Sequence, residues 1–357
     1  MIGKSEKKVR TGVPVSASTA APDDFASELI KAINRERGER VAYNLALDES
    51  PTVVKRWISS GSRQLDYLIR NARDGGYPEG RIVEIFGAPS IGKSHIATQI
   101  CVSTQRMGGI AIYIDTENAT SVDNLRALGV NVSSRFVFIQ EHCTEVILGI
   151  IEKTILRAKA IAKDVPVTII WDSIAGSSPK AELEGEYDKD NIGLQARALS
   201  KGMRKITNVI GDNGVLLVCL NQTRTKISVM PVYGDPDAPS GGKAIAFHAS
   251  VRVKLSSGQQ LKNKDGEVVG INVIATTIKN KVAPPFRKCN FEIHFGRGIR
   301  EHTQLFDLMR QHGEVVINNR LARVEGTAAW KTFYLKDVKT SEVVFKRNFY
   351  KEQFNEL

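Results

Sequence analysis

Eight residues, Gly87-Ala88-Pro89-Ser90-Ile91-Gly92-Lys93-Ser94, match the phosphate-binding pattern GxxxxGK[ST]. Gly87 and Gly92 allow backbone torsions that turn successive N–H groups toward phosphate oxygens. A helix opening at Ser94 adds the positive end of its dipole and its unpaired N–H groups. Lys93 is then placed for the β and γ phosphates, and the Ser94 hydroxyl for Mg²⁺. The plain alternative is a glycine turn that binds nothing. The setting argues against it, because the apolar run Arg81–Phe86 precedes the loop and the helix-patterned run Ser94–Val102 follows it. A nucleotide site with Mg²⁺ is the chemistry these residues imply.

Three more polar groups stand directly after apolar runs: Thr116-Glu117 after Ile110–Asp115, Ser173 after Thr168–Asp172, and Asn221-Gln222 after Leu216–Leu220. In open α/β sheets ligands bind beyond the carboxyl ends of the strands. Asp172 is therefore the candidate to hold Mg²⁺, through water. Glu117 is the candidate to orient and deprotonate an attacking water. Gln222 is placed to contact the γ-phosphate and report its loss to the segment that follows. Taken singly, Glu117 or Gln222 reads as a strand-end cap. Three such ends beside a phosphate loop favour catalysis.

The elements that must position these groups alternate. Strand-like runs at Arg81–Phe86, Ile110–Asp115, Phe136–Ile139, Val165–Asp172 and Gly214–Gln222 are separated by helix-like stretches at Ser94–Met107, Ser121–Leu128, Thr144–Lys163 and Leu194–Ile210. The pattern predicts an α/β fold, a P-loop NTPase core with a mostly parallel sheet covered by helices on both faces. Runs at Ala249–Leu255 and Val268–Ile278, with an Asp265-Gly266 turn between them, predict antiparallel strands continuing the sheet. Pro22-Asp23-Asp24 predicts the start of a small N-terminal helical segment with Phe25, Leu29, Ile30 and Ile33 on one face and Gly38 as its stop. The last sixty residues, with a helix-like Thr303–His312 followed by Trp330, Phe333, Tyr334, Phe345 and Tyr350, predict a small α+β domain; its aromatics, interleaved with lysines and arginines, fit a nucleic-acid surface or, the favoured reading, the domain's own core.

In the 357 residues, Lys and Arg outnumber Asp and Glu by 50 to 39, a net charge of +11 that favours polyanionic partners. Cys101, Cys143, Cys219 and Cys289 are scattered, which argues against a zinc site and a disulfide framework. No apolar stretch has the length of a membrane span and no signal core is present, so a cytoplasmic protein with no membrane partner is expected.

Beyond the phosphate loop, an ordered set of stretches carries a resemblance: YIDTENA (113–119), WDSIAG (171–176), PKAELEGE (179–186), GLQARALSKGMRK (193–205), NQTRTKISVM (221–230), SGGKAIAFHASVRVKL (240–255) and IKNKVAPPF (278–286). From about Ile58 to Ile299 the chain resembles RecA-type homologous recombinases. The resemblance implies an ATPase that forms helical filaments on single-stranded DNA and pairs it with homologous double-stranded DNA. Single-strand-binding or loader proteins are further candidate partners. It implies that Lys279 and Lys281 reach the ATP of a neighbouring subunit and that Phe247 carries the ATP signal between subunits.

Two DNA-binding loops are implied at about Glu182–Ile192 and Thr223–Lys243. In them Ile192 and Ile227 wedge between bases, Arg197, Arg204, Arg224 and Lys226 meet phosphates, and Gly241, Gly242 and Lys243 close the second loop. Asn124 stands where the family commonly stacks a tyrosine on adenine, which predicts looser base selectivity. The family's acidic tail is not matched, which predicts readier duplex binding and a weaker Mg²⁺ requirement. The expected organisation is a flexible basic tail (1–22), an oligomerisation helix and linker (23–50), an ATPase core with both loops (51–300) and a small C-terminal domain (301–357). A ring motor on the same core and an accessory DNA-binding regulator without strand exchange remain the alternatives.

Overall fold

Strand β7 (Val215–Thr225) shows why this chain folds as a covered sheet. Leu216, Val218 and Leu220 point to one face and Val215, Leu217 and Cys219 to the other, and all six are buried. A strand apolar on both sides is stable only between two helical layers. The computed structural model describes residues 22–46, 53–72, 74–185, 193–225, 237–239, 241–299, 309, 313–317, 320–326 and 330–350.

In chain order, α1 (Pro22–Arg37) is followed by β1 (Trp57–Ile58), α2 (Arg63–Arg70), β2 (Tyr77–Pro78) and β3 (Ile82–Gly87). Then come α3 (Lys93–Arg106), β4 (Ile110–Asp115), α4 (Val122–Ala127), β5 (Phe136–Gln140), α5 (Thr144–Ile161) and β6 (Val167–Asp172). A 3-10 turn (Ile174–Gly176), α6 (Lys180–Leu183), α7 (Leu194–Asp212), β7 (Val215–Thr225), β8 (Asp237–Pro239) and α8 (Ala244–His248) complete the alternation. Strands follow: β9 (Val251–Lys262), β10 (Val268–Asn280), β11 (Lys288–His294), β12 (Gly298–Ile299), β13 (Glu314–Ile317), β14 (Arg320–Glu325), β15 (Trp330–Asp337) and β16 (Val343–Tyr350).

The central sheet runs β12-β11-β10-β9-β3-β7-β6-β4-β5. From β9 to β5 every pair is parallel, and from β9 to β12 every pair is antiparallel. One face packs under Leu65, Leu68 and Ile69 of α2 and Ile96, Ala97 and Ile100 of α3. The other packs under Ile147, Ile151 and Ile155 of α5 and Leu199, Met203, Ile206 and Ile210 of α7. Each such side chain contributes roughly 1.5–3 kcal/mol of transfer free energy. Cys101 and Cys219 are buried thiols whose pKa burial pushes far up, and burial holds Cys289 at about 12, so these three stay protonated at neutral pH. Among the described residues no helix is long and apolar enough to cross a membrane.

By its internal contacts the chain divides into residues 1–53 and 54–357. In the first, α1 ends at Gly38, which takes a left-handed φ of 69° as a C-cap requires. On its apolar face Phe25 is 67% and Leu29 49% exposed. In the second, β13 to β16 form a separate antiparallel sheet whose core gathers Met309, Ala322, Phe333 and Phe349. Phe333 takes the core role expected of these aromatics, while Phe345 stacks edge-on against it and stays 39% exposed. The expected basic tail lies outside the described residues, as does the expected helix at Thr303–His312 except for Met309.

Candidate active site

Strand β3 delivers the phosphate loop, and the loop's shape departs from expectation in one detail. The left-handed residues are Ser90 (φ 58°) and Gly92 (φ 94°), whereas Gly87 closes β3 without one. Gly87 is needed for a different reason: a Cβ there would lie 2.5 Å from the Leu255 carbonyl oxygen of the neighbouring strand. At Gly92 both reasons apply, since a Cβ would also run into Ile293 Cδ1. Gly92 caps α3 with no side-chain hydrogen bond, and the first turn of α3 carries no acidic residue. The helix therefore presents its free N–H groups and positive end to whatever the loop holds. Ala88, Pro89 and Ser90 are exposed and Ile91 is buried. Lys93 is buried, and its ammonium donates to the Gly87 carbonyl at 3.1 Å and the Ala88 carbonyl at 2.7 Å. Burial holds its pKa below the lysine range, opposed by Asp172 and Glu117.

Across from the loop, β4 and β6 place their last aspartates side by side, in register. Asp115 is buried and accepts from the Glu117 and Thr120 N–H groups at 2.9 and 3.0 Å, which shapes the turn carrying Glu117. Thr116 Oγ1 donates to the Ser173 carbonyl, also at 2.8 Å, and accepts from the Ser173 N–H at 2.8 Å. His142 Nδ1 donates to the Thr116 carbonyl at 2.8 Å, which leaves Nε2 to accept from Asn118 Nδ2 at 3.4 Å.

Held in this way, Glu117 Oε1 accepts from Ser173 Oγ at 2.5 Å and from Gln222 Nε2 at 2.9 Å. Gly176 makes room for it, because a Cβ there would lie 2.8 Å from Glu117 Cγ and 2.6 Å from Thr116 Oγ1. Asp172 accepts from Tyr113 Oη at 2.5 Å and also bonds Ser94. Burial raises the Asp172 pKa, countered by those two hydrogen bonds.

Ser94 and Asp172 together fit Mg²⁺, a hard cation commonly held by one or two protein oxygens plus substrate phosphates. Among the described residues no cluster of three or more His, Cys, Asp or Glu suits a metal, so no all-protein cage competes with this arrangement. A cavity of about 120 Å³ extends from Ser94, Glu117 and Asp172 along α3 to Asn124, Leu125 and Leu128. Asn124 thus lines the same cavity as the phosphate-end groups.

Lys279, Lys281 and Phe247 form a second group elsewhere. Lys279 pairs with Arg252, which pairs with Glu84, while Gly87 pairs with Leu255. Lys279 therefore sits three strand residues before the phosphate loop, roughly 10 Å along and two strands across. Its ammonium donates to the Ala246 and Phe247 carbonyls at 2.8 Å each, at the end of α8. Burial lowers its pKa, helped by Lys281 and Arg252. Phe247 is 75% exposed.

Residues 25–300 match the model of the RecA N-terminal domain. The chain belongs to the RecA family. It is 37% identical to Protein RecA of Synechococcus over 88% of this chain and 82% of that one. It is 42% identical to Protein RecA of Treponema denticola over 84% and 69%, and 39% identical to that of Gloeobacter violaceus over 82% and 75%. The match to the RecA N-terminal domain ends at residue 300, before β13 begins at Glu314.

Of the residues expected to meet DNA, Arg197 and Arg204 lie on α7, and Arg204 Nε bonds the Ser200 carbonyl. Gly241, Gly242 and Lys243 lead into α8. Ile192, Lys226 and Ile227 lie outside the described residues, and Arg224 is described only as part of β7. Thr223–Thr225 pair antiparallel with Asp237–Pro239, so the segment from 223 begins as a hairpin stem. The first loop also starts late, since Glu182 and Leu183 close α6.

His95 was missed by pattern reading. It lines the cavity, its Nε2 is buried with no hydrogen-bond partner among the described residues, and burial lowers its pKa. Only its position next to Ser94 signals it in the sequence.

Proposed function

We propose that Glu117, Lys93, Ser94, Asp172 and Gln222 hydrolyse ATP in a site completed by Lys279 and Lys281 of a neighbouring copy. The chain is an ATP-dependent DNA recombinase, a DNA-dependent ATPase that assembles into filaments on single-stranded DNA and pairs it with double-stranded DNA. The observation that carries the site assignment is Glu117 Oε1, on which Ser173 and Gln222 converge and which lines one cavity with Ser94 and Asp172.

The loop N–H groups and Lys93 bind the phosphates, and phosphate oxygens replace the Gly87 and Ala88 carbonyls as partners of the ammonium. Ser94 and Asp172 would hold Mg²⁺, which would supply positive charge beside the β and γ phosphates. Glu117 orients a water and takes its proton as the water oxygen bonds the γ phosphorus and the bond to the β–γ bridging oxygen breaks. Gln222 has one amide to share. Turning it to a γ-phosphate oxygen releases Glu117 Oε1 for the water, and loss of phosphate returns it. Since β7 runs on from Gln222 into the hairpin stem, that choice is made at the root of the second loop.

The lysines sit at the end of the sheet away from their own phosphate loop, which supports their delivery to another copy. Asn124 borders the base end of the cavity, and Phe247 is assigned the contact between copies. Arg197, Arg204, Arg224, Lys226 and Lys243 grip the DNA backbone, Gly241 and Gly242 close the second loop, and Ile192 and Ile227 separate bases. We assign 23–50 to assembly, 51–300 to the ATPase core and 301–357 to a small accessory domain.

ATPase activity with and without single-stranded DNA, imaged on the same sample, tests this reading. DNA-stimulated turnover on helical filaments is expected. Closed rings point to a ring motor. DNA binding without joint molecules points to a regulator.

A further inference from the structure

Gln195 is the second residue of α7, directly after the first DNA-loop segment. Its Nε2 donates to the Ile174 carbonyl at 2.8 Å and the Ser177 carbonyl at 2.5 Å, so the amide clamps both ends of the turn that follows β6. That turn holds the catalytic carboxylate. Ser173 Oγ, at its start, donates to Glu117 Oε1 and accepts from the Gly176 N–H at 3.2 Å. The close approach of Gly176 to Glu117 means that the turn cannot shift without moving the carboxylate. Gly241, near the end of the second loop segment, packs beside Gln195 against the same turn. A Cβ on it would lie 2.8 Å from Leu199 Cδ1 and 3.1 Å from Ile174 Cγ2. The flanks of both DNA-binding segments therefore bear on five residues, and those five set Glu117.

We infer that Gln195 is a positioning residue that couples DNA occupancy to Glu117 through the Ser173–Ser177 turn. The inference rests on the recombinase reading above. Among the described residues, Gln195 makes no hydrogen bond to the phosphate loop or to the residues assigned to DNA phosphates. It transmits because both of its amide hydrogens are committed to the turn. A displacement at the start of α7 is carried to Ser173 and Gly176 instead of being absorbed by a slack contact.

The test uses the full-length protein and a dT oligonucleotide. Turnover at saturating ATP is measured with and without the oligonucleotide for the wild type, Gln195→Leu and Gln195→Glu. DNA affinity is measured with and without a non-hydrolysable ATP analogue. Basal kcat and the KM for ATP should stay at wild-type values while DNA stimulation falls about 5-fold or more. Because coupling between binding events is reciprocal, the analogue's gain in DNA affinity should shrink as well.

Wild-type stimulation in both variants overturns the inference. So does a basal kcat that falls in step with the stimulated rate, since Gln195 would then be plain scaffolding for Glu117. Should these variants lose the wild-type thermal midpoint, Gln195→Asn carries the test. It keeps the amide one methylene short and must show reduced stimulation at a normal basal rate. A wild type that DNA does not stimulate fails the recombinase reading itself.

Discussion

The two ends of the central sheet are built in opposite ways. At the carboxyl ends of β3, β4, β6 and β7, three carboxylates (Asp115, Glu117, Asp172) crowd beside a loop whose N–H groups face outward. Near the amino ends of β3 and β9, Lys279, Lys281 and Arg204 gather around His248 beside exposed Phe247; Lys279 finds partners in the Ala246 and Phe247 carbonyls and Arg204 in that of Ser200. Each end is electrostatically incomplete. The first has donors and acids that suit a polyanion and a cation, while the second has Lys279 held on α8. Because the strands between them are rigid and buried, one copy cannot bring its two ends together. Two copies can, head to tail, and such heterologous contacts build filaments.

The strongest way to break the comparison is to disable one end at a time and then mix. Glu117→Gln is expected to lower turnover by ~10²–10⁴-fold with ATP binding retained, and Lys279→Ala to lower it comparably. Neither preparation works alone. Mixed in equal amounts, about a quarter of head-to-tail interfaces recover an intact carboxylate and an intact lysine. A steady-state assay should therefore return about a quarter of the wild-type rate, where isolated sites would return none.

Next in size, Gly176→Ala tests how tightly the anionic end is set. Its Cβ would press on Glu117 Cγ and Thr116 Oγ1. Misplacing a catalytic group by ~1 Å costs up to about 10²-fold in rate. The loss should fall on kcat, with nucleotide binding by fluorescence titration little changed. Equal losses in both would mean that the whole end has shifted.

What sequence reading reached at these two ends, and what it did not, follows from contact distance. The phosphate loop, its strand and its helix are contiguous, so periodicity and glycine spacing place them together. Glu117, Asp172 and Gln222 were legible because a polar residue after an apolar run needs only the parallel-sheet rule to be aligned with its neighbours. Gly176 against Glu117, Ile293 over Gly92 and the tether of Lys279 to α8 are meetings of distant segments, and no local pattern encodes them. Helix α2 escaped for another reason. It has eight residues, and its Ser62 cap and buried Leu65, Leu68 and Ile69 form a pattern too short to stand out. The hairpin stem at Thr223–Thr225 was hidden because its polar residues look like loop while their backbone still pairs.

A smaller effect should separate assembly from folding at the cationic end. Phe247 is 75% exposed, so Phe247→Ala should change the stability of the chain by no more than about 0.5 kcal/mol. ATP-dependent filament growth on single-stranded DNA, followed by light scattering, should nevertheless fail or slow. Normal growth would remove Phe247 from the contact between copies.

The smallest effect exploits one histidine at each end. Burial lowers the pKa of His95 in the nucleotide cavity. Burial also lowers that of His248, reinforced by Arg204, Lys279 and Lys281. The ordinary imidazole value is about 6.5. Below it the unfolded chain takes up protons that the folded chain refuses, so stability present above about pH 6.5 is lost as pH falls toward the depressed folded values. Asp172 acts in the opposite sense, because its raised pKa makes its contribution disappear as pH rises past the usual carboxylate range. Comparing each variant with the wild type cancels that term, since all of them keep Asp172. The denaturation midpoint should therefore drop less between pH 7.5 and pH 5.5 in His95→Gln and in His248→Gln than in the wild type. Added salt should screen the His248 contribution more than that of His95, because only His248 owes part of its shift to neighbouring cations. A drop that salt moves equally in both would mean that the two ends share one electrostatic environment, and the contrast between them would fail.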